Sequence, residues 1–194
     1  MLTECIRADF ASEGIFAYFC AANMCFNGDT DQMKKVIVIG CPGAGKSTFS
    51  RKLVAKTGLT LYYLDMIWHR PDRTTVTREE FDERLSEIVI RDEWVVDGNY
   101  LRTLPLRLRH CDTVFFFDLP LETCLAGAES RLGKDRVDMP WTDNELDEEF
   151  RQWIIDFPQQ QLPIIELLLE NYEQNVKIIK FKSHREADEF IESL

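Results

Sequence analysis

Eight residues at 40–47, GCPGAGKS, match the spacing G-x-x-x-x-G-K-[ST] without deviation. They follow a strand-like apolar run and open a helix-like one, which is where a phosphate cradle must sit. Gly40, Gly43 and Gly45 let the backbone wrap closely with its N–H groups turned inward, and Ala44 and Thr48 belong to the same binding stretch. The helix N-terminus adds partial positive charge. Lys46 is spaced to reach β- and γ-phosphates, and the Ser47 hydroxyl to hold Mg²⁺. The pattern specifies a bound nucleotide but not the fate of its phosphate.

Other residue types that could do chemistry follow in order. Asp65 closes LTLYYLD, and the carboxyl end of a strand in an open α/β sheet faces the ligand crevice. Trp68 could stack on a base or ring, and Arg70 or Arg73 could grip an anionic group, although each also suits a structural role. Asp97 ends VVD, and Gly98 after it would let a second ligand approach the backbone. Arg131, Lys134 and Arg136 surround Gly133 in SRLGKDR. Transfer of a phosphoryl group needs positive charge on the migrating group and exclusion of water, so 131–142 reads as a short lid. Arg107 and Arg109 read as solvated helix charges, and DNELDEE as a solvated acidic helix start.

Positioning these residues requires a layered fold. KVIVIG at 35–40 is a continuous apolar run, as expected for a strand buried on both faces of a parallel sheet. A helix is expected over 46–56, closed by Gly58, then strands at 59–65, 93–99, 112–120 and 176–181. Between them lie helices at 77–90, with Thr77 and Glu80 as a capping box, and at 143–157, with Thr142 and Glu145 as another. Pro158 should end or kink that helix, which continues over 162–172, and a terminal helix is expected over 183–193. Strands alternating with helices predict an α/β, doubly wound parallel sheet.

The 194 residues suit one domain, and the formal net charge of -11 disfavours direct binding to a nucleic-acid backbone. The six cysteines form no CxxC pair, so neither a zinc site nor a disulfide framework is expected; scattered thiols suit a reducing cytoplasm. Cys41, inside the phosphate loop, is a candidate for modification. No apolar run is long enough to span a bilayer. GIFAYFCAANMCF at 14–26 is apolar, but Glu4, Asp9 and Glu13 precede it where a signal peptide would be basic. Residues 1–32 read as an appendage, whether a poorly ordered leader, a mis-called start or an added helix, with the main domain at 33–194.

No NKxD follows a later strand, so a guanine-specific GTPase is disfavoured, and Gly98 stands where an AAA-type ATPase would carry a second acid. The ordered set GCPGAGKST, LDMIWHRPDRT, WVVDGNY, DTVFFFDLPLETCL and RLGKDRVDMPW resembles the adenylate-kinase-related phosphate-loop proteins labelled DNA topology modulation, or FlaR-like. The resemblance spans 33–194. It implies a three-layer, nucleoside-monophosphate-kinase-like fold with strand order 2-3-1-4-5, ATP with Mg²⁺ as donor and a small-molecule acceptor. It further implies that Asp65 orients or deprotonates the acceptor, that Asp97 sits near Mg²⁺, and that Arg102 meets an acceptor phosphate. Arg131 would touch adenine or phosphate, and Arg136 would close onto the γ-phosphate. The chain departs from the family at LAGAESR and PQQQLP, where cations are common, which predicts a slow kinase or a less anionic acceptor. A nucleotide-binding regulator linked to DNA topology and an acceptor-independent ATPase stand as alternatives.

Overall fold

The computed structural model describes residues 33–194; the expectations for residues 1–32, including three of the cysteines, fall outside the described residues. Apolar runs set the middle of the sheet. Strands β1 (Lys35–Gly40), β3 (Trp94–Asp97) and β4 (Thr113–Phe117) are buried along nearly their whole length. The edge strands β2 (Leu61–Tyr63) and β5 (Lys177–Phe181) are more open. All pairs are parallel, in the order β2-β3-β1-β4-β5, as the resemblance implied. The register pairs Asp97 with both Val38 and Tyr63, and Gly40 with Phe117, so the phosphate loop, Asp97 and the chain entering Asp65 leave the sheet at one end.

Helix α1 (Lys46–Thr57) is fastened to the sheet by Phe49, whose ring lies 4.8 Å from Phe115 and 5.3 Å from Phe117. Such edge-to-face pairs each add about 0.5–1.5 kcal/mol beyond area burial. Gly58 closes the helix in the left-handed region, as expected. Helices α2 (Leu64–Trp68), α3 (Arg78–Val89), α4 (Leu104–Leu108), α5 (Leu121–Glu129), α6 (Glu148–Gln160), α7 (Leu162–Glu170) and α8 (His184–Ser193) follow, with a 3₁₀ turn at Leu101–Thr103 leading into α4.

Several local expectations change. The second strand is only three residues long, and Asp65 lies in the first turn of α2 instead of ending a strand. The Thr142–Glu145 capping box does not form. The Thr142 hydroxyl bonds Asp135 at 2.5 Å, and α6 starts later, where Asp147 accepts from the Phe150 amide at 3.0 Å. Asp147 is an equally good cap, and the ring nitrogen of Trp141 on Asp143 holds the intervening chain in a turn. Pro158 stays inside α6, which ends two residues later at Gln160. Thr77 does cap α3, accepting from the Glu80 amide, but the Glu80 carboxylate reaches Arg84 and Arg70. Among the described residues, no helix is long and apolar enough to cross a membrane.

Candidate active site

The phosphate loop is packed down on α5. A Cβ on Gly43 would sit 1.9 Å from the Cys124 carbonyl oxygen, and the glycine adopts φ 84°, so both space and backbone conformation exclude a side chain. Lys46 is buried, and its ammonium donates to the carbonyls of Gly40 at 2.8 Å and Cys41 at 2.9 Å. Burial pulls its pKa below the ordinary lysine value, with the charge of Asp97 opposing. The loop's other end is held by His184 of α8, whose Nε2 lies 3.1 Å from the Ala44 carbonyl oxygen. Thr48 is exposed and accepts from Arg51.

Asp97 is 4% exposed, and its Oδ2 has no hydrogen-bond partner among the described residues. Burial pushes its carboxyl up to about 6, against the pull of the Lys46 charge and the Ser47 hydroxyl. An unpartnered buried carboxylate oxygen is costly in a fold and demands an explanation. The Ser47 hydroxyl faces a second carboxylate, Asp138, which the sequence reading missed. Asp138 is buried and takes two bonds from Arg136, at 3.1 and 2.8 Å. Burial alone would raise Asp138, but the guanidinium outweighs it and holds the carboxyl down at about 2. Arg136 therefore grips its own segment. Arg131 is pulled below its usual value by burial and by the Arg136 charge, with Asp138, Asp97 and Asp65 opposing.

Asp65 accepts from the Tyr100 hydroxyl at 2.8 Å, and its charge is felt at Lys46, Asp97, Arg131 and Arg136. The fold thus draws Lys46, Ser47, Asp65, Asp97, Arg131 and Arg136 toward one place. It does not bring the remaining candidates there in the same way. Trp68 packs edge-on against Phe81 and Tyr100, in the aromatic seam between α2 and α3. Arg70 pairs with Glu80 at 3.2 Å, and Arg102 grips Asp82 with two bonds of 2.7 and 2.6 Å. The space next to Gly98 is taken by Leu64, whose Cβ would stand 2.9 Å from a glycine Cβ.

Arg107 overturns its expected role as a solvated helix charge. It is 0% exposed and donates to the backbone carbonyls of Gly98, Asn99 and Tyr100. Burial brings its pKa down to about 9. Arg109, two residues on, is exposed as expected. Asn99 is another missed residue: its Oδ1 accepts from the Gly40 amide at 2.9 Å and its amide donates to the Gly40 carbonyl at 2.8 Å. A hydrogen-bonding side chain after an aspartate in VVDGN was a visible signal for Asn99; the burial of Arg107 left no such mark. Cys41 is buried beside Cys124, and the hydrogen bond between the two thiols, with burial, pushes the Cys41 thiol up, which makes it a poor nucleophile.

The segment at 131–147 reaches across to the loop after α2. His69 meets Trp141 edge-on at 5.0 Å, Arg73 lies 5.3 Å over the Trp141 ring, and Arg73 pairs loosely with Asp143 at 3.7 Å. Burial lowers the His69 pKa, against the charges of Asp65 and Asp143.

A scan against protein-family models finds no match, and a search of curated proteins finds none either. Solved structures do match. The shikimate kinase of Bacteroides thetaiotaomicron superposes with a TM-score of 0.53 at 16% identity, over 84% of this chain and 96% of that one. The shikimate kinase of Acinetobacter baumannii, solved in complex with shikimate, gives 0.53 and 16% over 83% and 92%. This chain shares their phosphate-loop, nucleoside-monophosphate-kinase-like fold. At this identity the likeness concerns the fold.

Proposed function

We propose that the chain is a small-molecule kinase that moves the γ-phosphoryl group of ATP to a hydroxyl or phosphate of a small acceptor. The observation that carries this reading is a buried Asp97 carboxylate with one oxygen unpartnered, within electrostatic reach of the Lys46 ammonium and beside the Ser47 hydroxyl at the end of the parallel strands. A carboxylate left unsatisfied at that cost suits a divalent cation. Among the described residues, no cluster of three or more His, Cys, Asp or Glu forms a metal cage. Mg²⁺ ordinarily takes one or two protein ligands and completes its shell with phosphate oxygens and water, so Ser47 and Asp97 fit it. Bound Mg²⁺ would neutralise charge that builds on the phosphate oxygens.

The loop amides of Gly43, Ala44, Gly45, Lys46, Ser47 and Thr48, beginning at Gly40, cradle the donor phosphates in this reading. Lys46 exchanges its two carbonyl partners for phosphate oxygens. Asp65, aimed by the Tyr100 hydroxyl, orients the acceptor and receives its proton where that acceptor is an alcohol. Arg131 supplies positive charge over the site, and Arg136 does so only by sharing or releasing Asp138. Catalysis of this kind rests on positioning and charge, with little covalent work for the protein. Trp68, Arg70 and Arg102 are assigned no direct contact with the acceptor, because each already has a partner in the α2–α3 region. The FlaR-like motif set supports the kinase reading without naming an acceptor, and the shared fold of the shikimate kinases adds hydroxy acids to the classes worth testing.

The test is a phosphotransfer panel: ATP and Mg²⁺ with nucleoside monophosphates, nucleosides, sugars and hydroxy acids including shikimate, products resolved by mass. One phosphorylated acceptor, absent with Lys46→Ala, is the expected outcome. ADP formed at one rate whatever acceptor is added would replace the kinase by an ATPase.

A further inference from the structure

We infer that Arg107 is a positioning residue that joins the donor and acceptor halves of the site by holding one short loop, 98–100, in a conformation the loop would not keep by itself. The inference rests on the kinase reading for the words donor and acceptor; the geometry stands without them.

Three successive carbonyls, from Gly98, Asn99 and Tyr100, turn toward the Arg107 guanidinium; the Gly98 and Tyr100 bonds measure 2.8 and 3.2 Å. Consecutive carbonyls face one way in neither a strand nor a short turn without a multi-donor partner. The planar fork of arginine spreads its donors over two nitrogens at a fixed separation, whereas lysine's three donors radiate from one nitrogen. The loop is strained at Tyr100, which carries a side chain at φ 38°, while Gly98 at φ 136° uses glycine's freedom. Such residues persist only where their surroundings over-determine them. Arg107 is fully buried and compensated by carbonyls instead of a carboxylate, with its Nε left unpartnered. A buried cation is expensive, and an apolar side chain would fill the same volume more cheaply. What the cation adds is the fixed loop.

Beyond the Gly98 amide on Val38 and the Tyr100 ring against Phe81 and Trp68, the loop's side chains reach both sides of the site. Asn99 clamps both the amide and the carbonyl of Gly40, the first residue of the phosphate loop. Tyr100 donates to Asp65 from α2. Asp97 immediately precedes the loop. The sheet register sets Asp97 beside Val38 and Tyr63; beyond the strand ends, one guanidinium holds the loop that ties the Gly40 backbone to the Asp65 carboxylate.

The experiment compares Arg107→Lys, Asn99→Ala, Tyr100→Phe and the double variant Arg107→Lys/Tyr100→Phe with wild type. Donor-side readout is the Kd for Mg²⁺ with a non-hydrolysable ATP analogue, by calorimetry. Acceptor-side readout is kcat and KM with the acceptor identified by the panel, or with water, as ADP release, if the panel identifies none. Asn99→Ala should weaken analogue binding about fivefold and leave the acceptor KM within about twofold. Tyr100→Phe should lower kcat about threefold to tenfold with the analogue Kd unchanged. Arg107→Lys should do both, and adding Tyr100→Phe to it should cost little more, since the two act through one loop.

Arg107→Lys that lowers the melting temperature yet leaves Kd and kcat near wild type would overturn the inference, as would additive effects in the double variant. Should Arg107→Lys fail to fold, the two single variants decide: if neither moves its own side, the loop positions nothing. A wild-type protein that binds the analogue but transfers phosphate to nothing would sink the kinase reading alone, with the Asn99 and Arg107 binding measurements still deciding the donor half.

Discussion

Lys46 and Arg102 were both expected to handle phosphate, and the fold treats them in opposite ways. Lys46 is buried, with its ammonium on two backbone carbonyls and its pKa lowered by burial. Arg102 stands about half-exposed, gripping Asp82 on the surface. The same contrast separates the two regions around them. The phosphate loop is pinned by Asn99, His184 and the close pass of Gly43 over α5. On the α2–α3 side the arginines sit in exposed ion pairs. Buried groups held by backbone atoms cannot be rearranged cheaply, whereas exposed ion pairs contribute little and break readily. In the kinase reading proposed above, donor chemistry would be built into the fold, and acceptor recognition would rest on Asp65, Tyr100 and the 131–147 segment.

Substitutions can break this contrast, and the largest effect is expected at Lys46. Lys46→Ala should lower ATP-dependent transfer by about 100-fold or more with the fold retained, read from initial rates and a melting curve. Asp97→Asn comes next and should act in two directions. It should abolish Mg²⁺-dependent nucleotide binding, yet stabilise the free protein by about 3 kcal/mol above pH 6. The sign follows from a folded pKa of about 6 against an ordinary 3.8: the ionised carboxylate destabilises the fold fully above pH 6, and that penalty fades to nothing as pH falls to the ordinary value. Urea unfolding at pH 5 and pH 8 checks it; an equal effect at both would show that Asp97 carries no burial cost.

Arg136→Ala should cost about 2 kcal/mol at neutral pH, because it leaves the Asp138 carboxylate buried and unpaired. Asp138 is depressed to about 2 from 3.8, so the stability it contributes is present above the ordinary value and is lost as pH falls through about 2. The cost of Arg136→Ala should therefore shrink in acid, which unfolding at pH 3 against pH 7 would reveal. Smallest of all, Arg102→Ala should change stability by less than about 1 kcal/mol and the acceptor KM by less than about threefold. A tenfold rise in KM would return Arg102 to the acceptor and narrow the difference between the two regions.

Much of the donor half was legible because its signals are local. Eight consecutive residues name the phosphate loop, and the apolar runs at 35–40, 93–99 and 112–120 mark strands covered on both faces. The acceptor half was less legible. Asp65 was read as a strand end and lies instead in the first turn of α2, since β-branched and aromatic residues do not separate a short strand from the helix after it. Arg107 was misread because burial of a charge depends on what packs over it. Asp138 was missed because its depressed pKa comes from Arg136 and its importance from Ser47, some ninety residues earlier in the sequence.

By itself the sequence determined the phosphate loop, the alternation of strands and helices that makes a parallel sheet, and the α1 and α8 boundaries, because glycine spacing, apolar periodicity and capping residues act within a few positions. Only the tertiary structure decided that one buried arginine holds the loop between Asp97 and Tyr100, that Asn99 clamps Gly40, and that Asp138 faces Ser47. Those relations join residues far apart in sequence, and their energies come from burial and hydrogen-bond geometry, which exist only once the chain has closed around them.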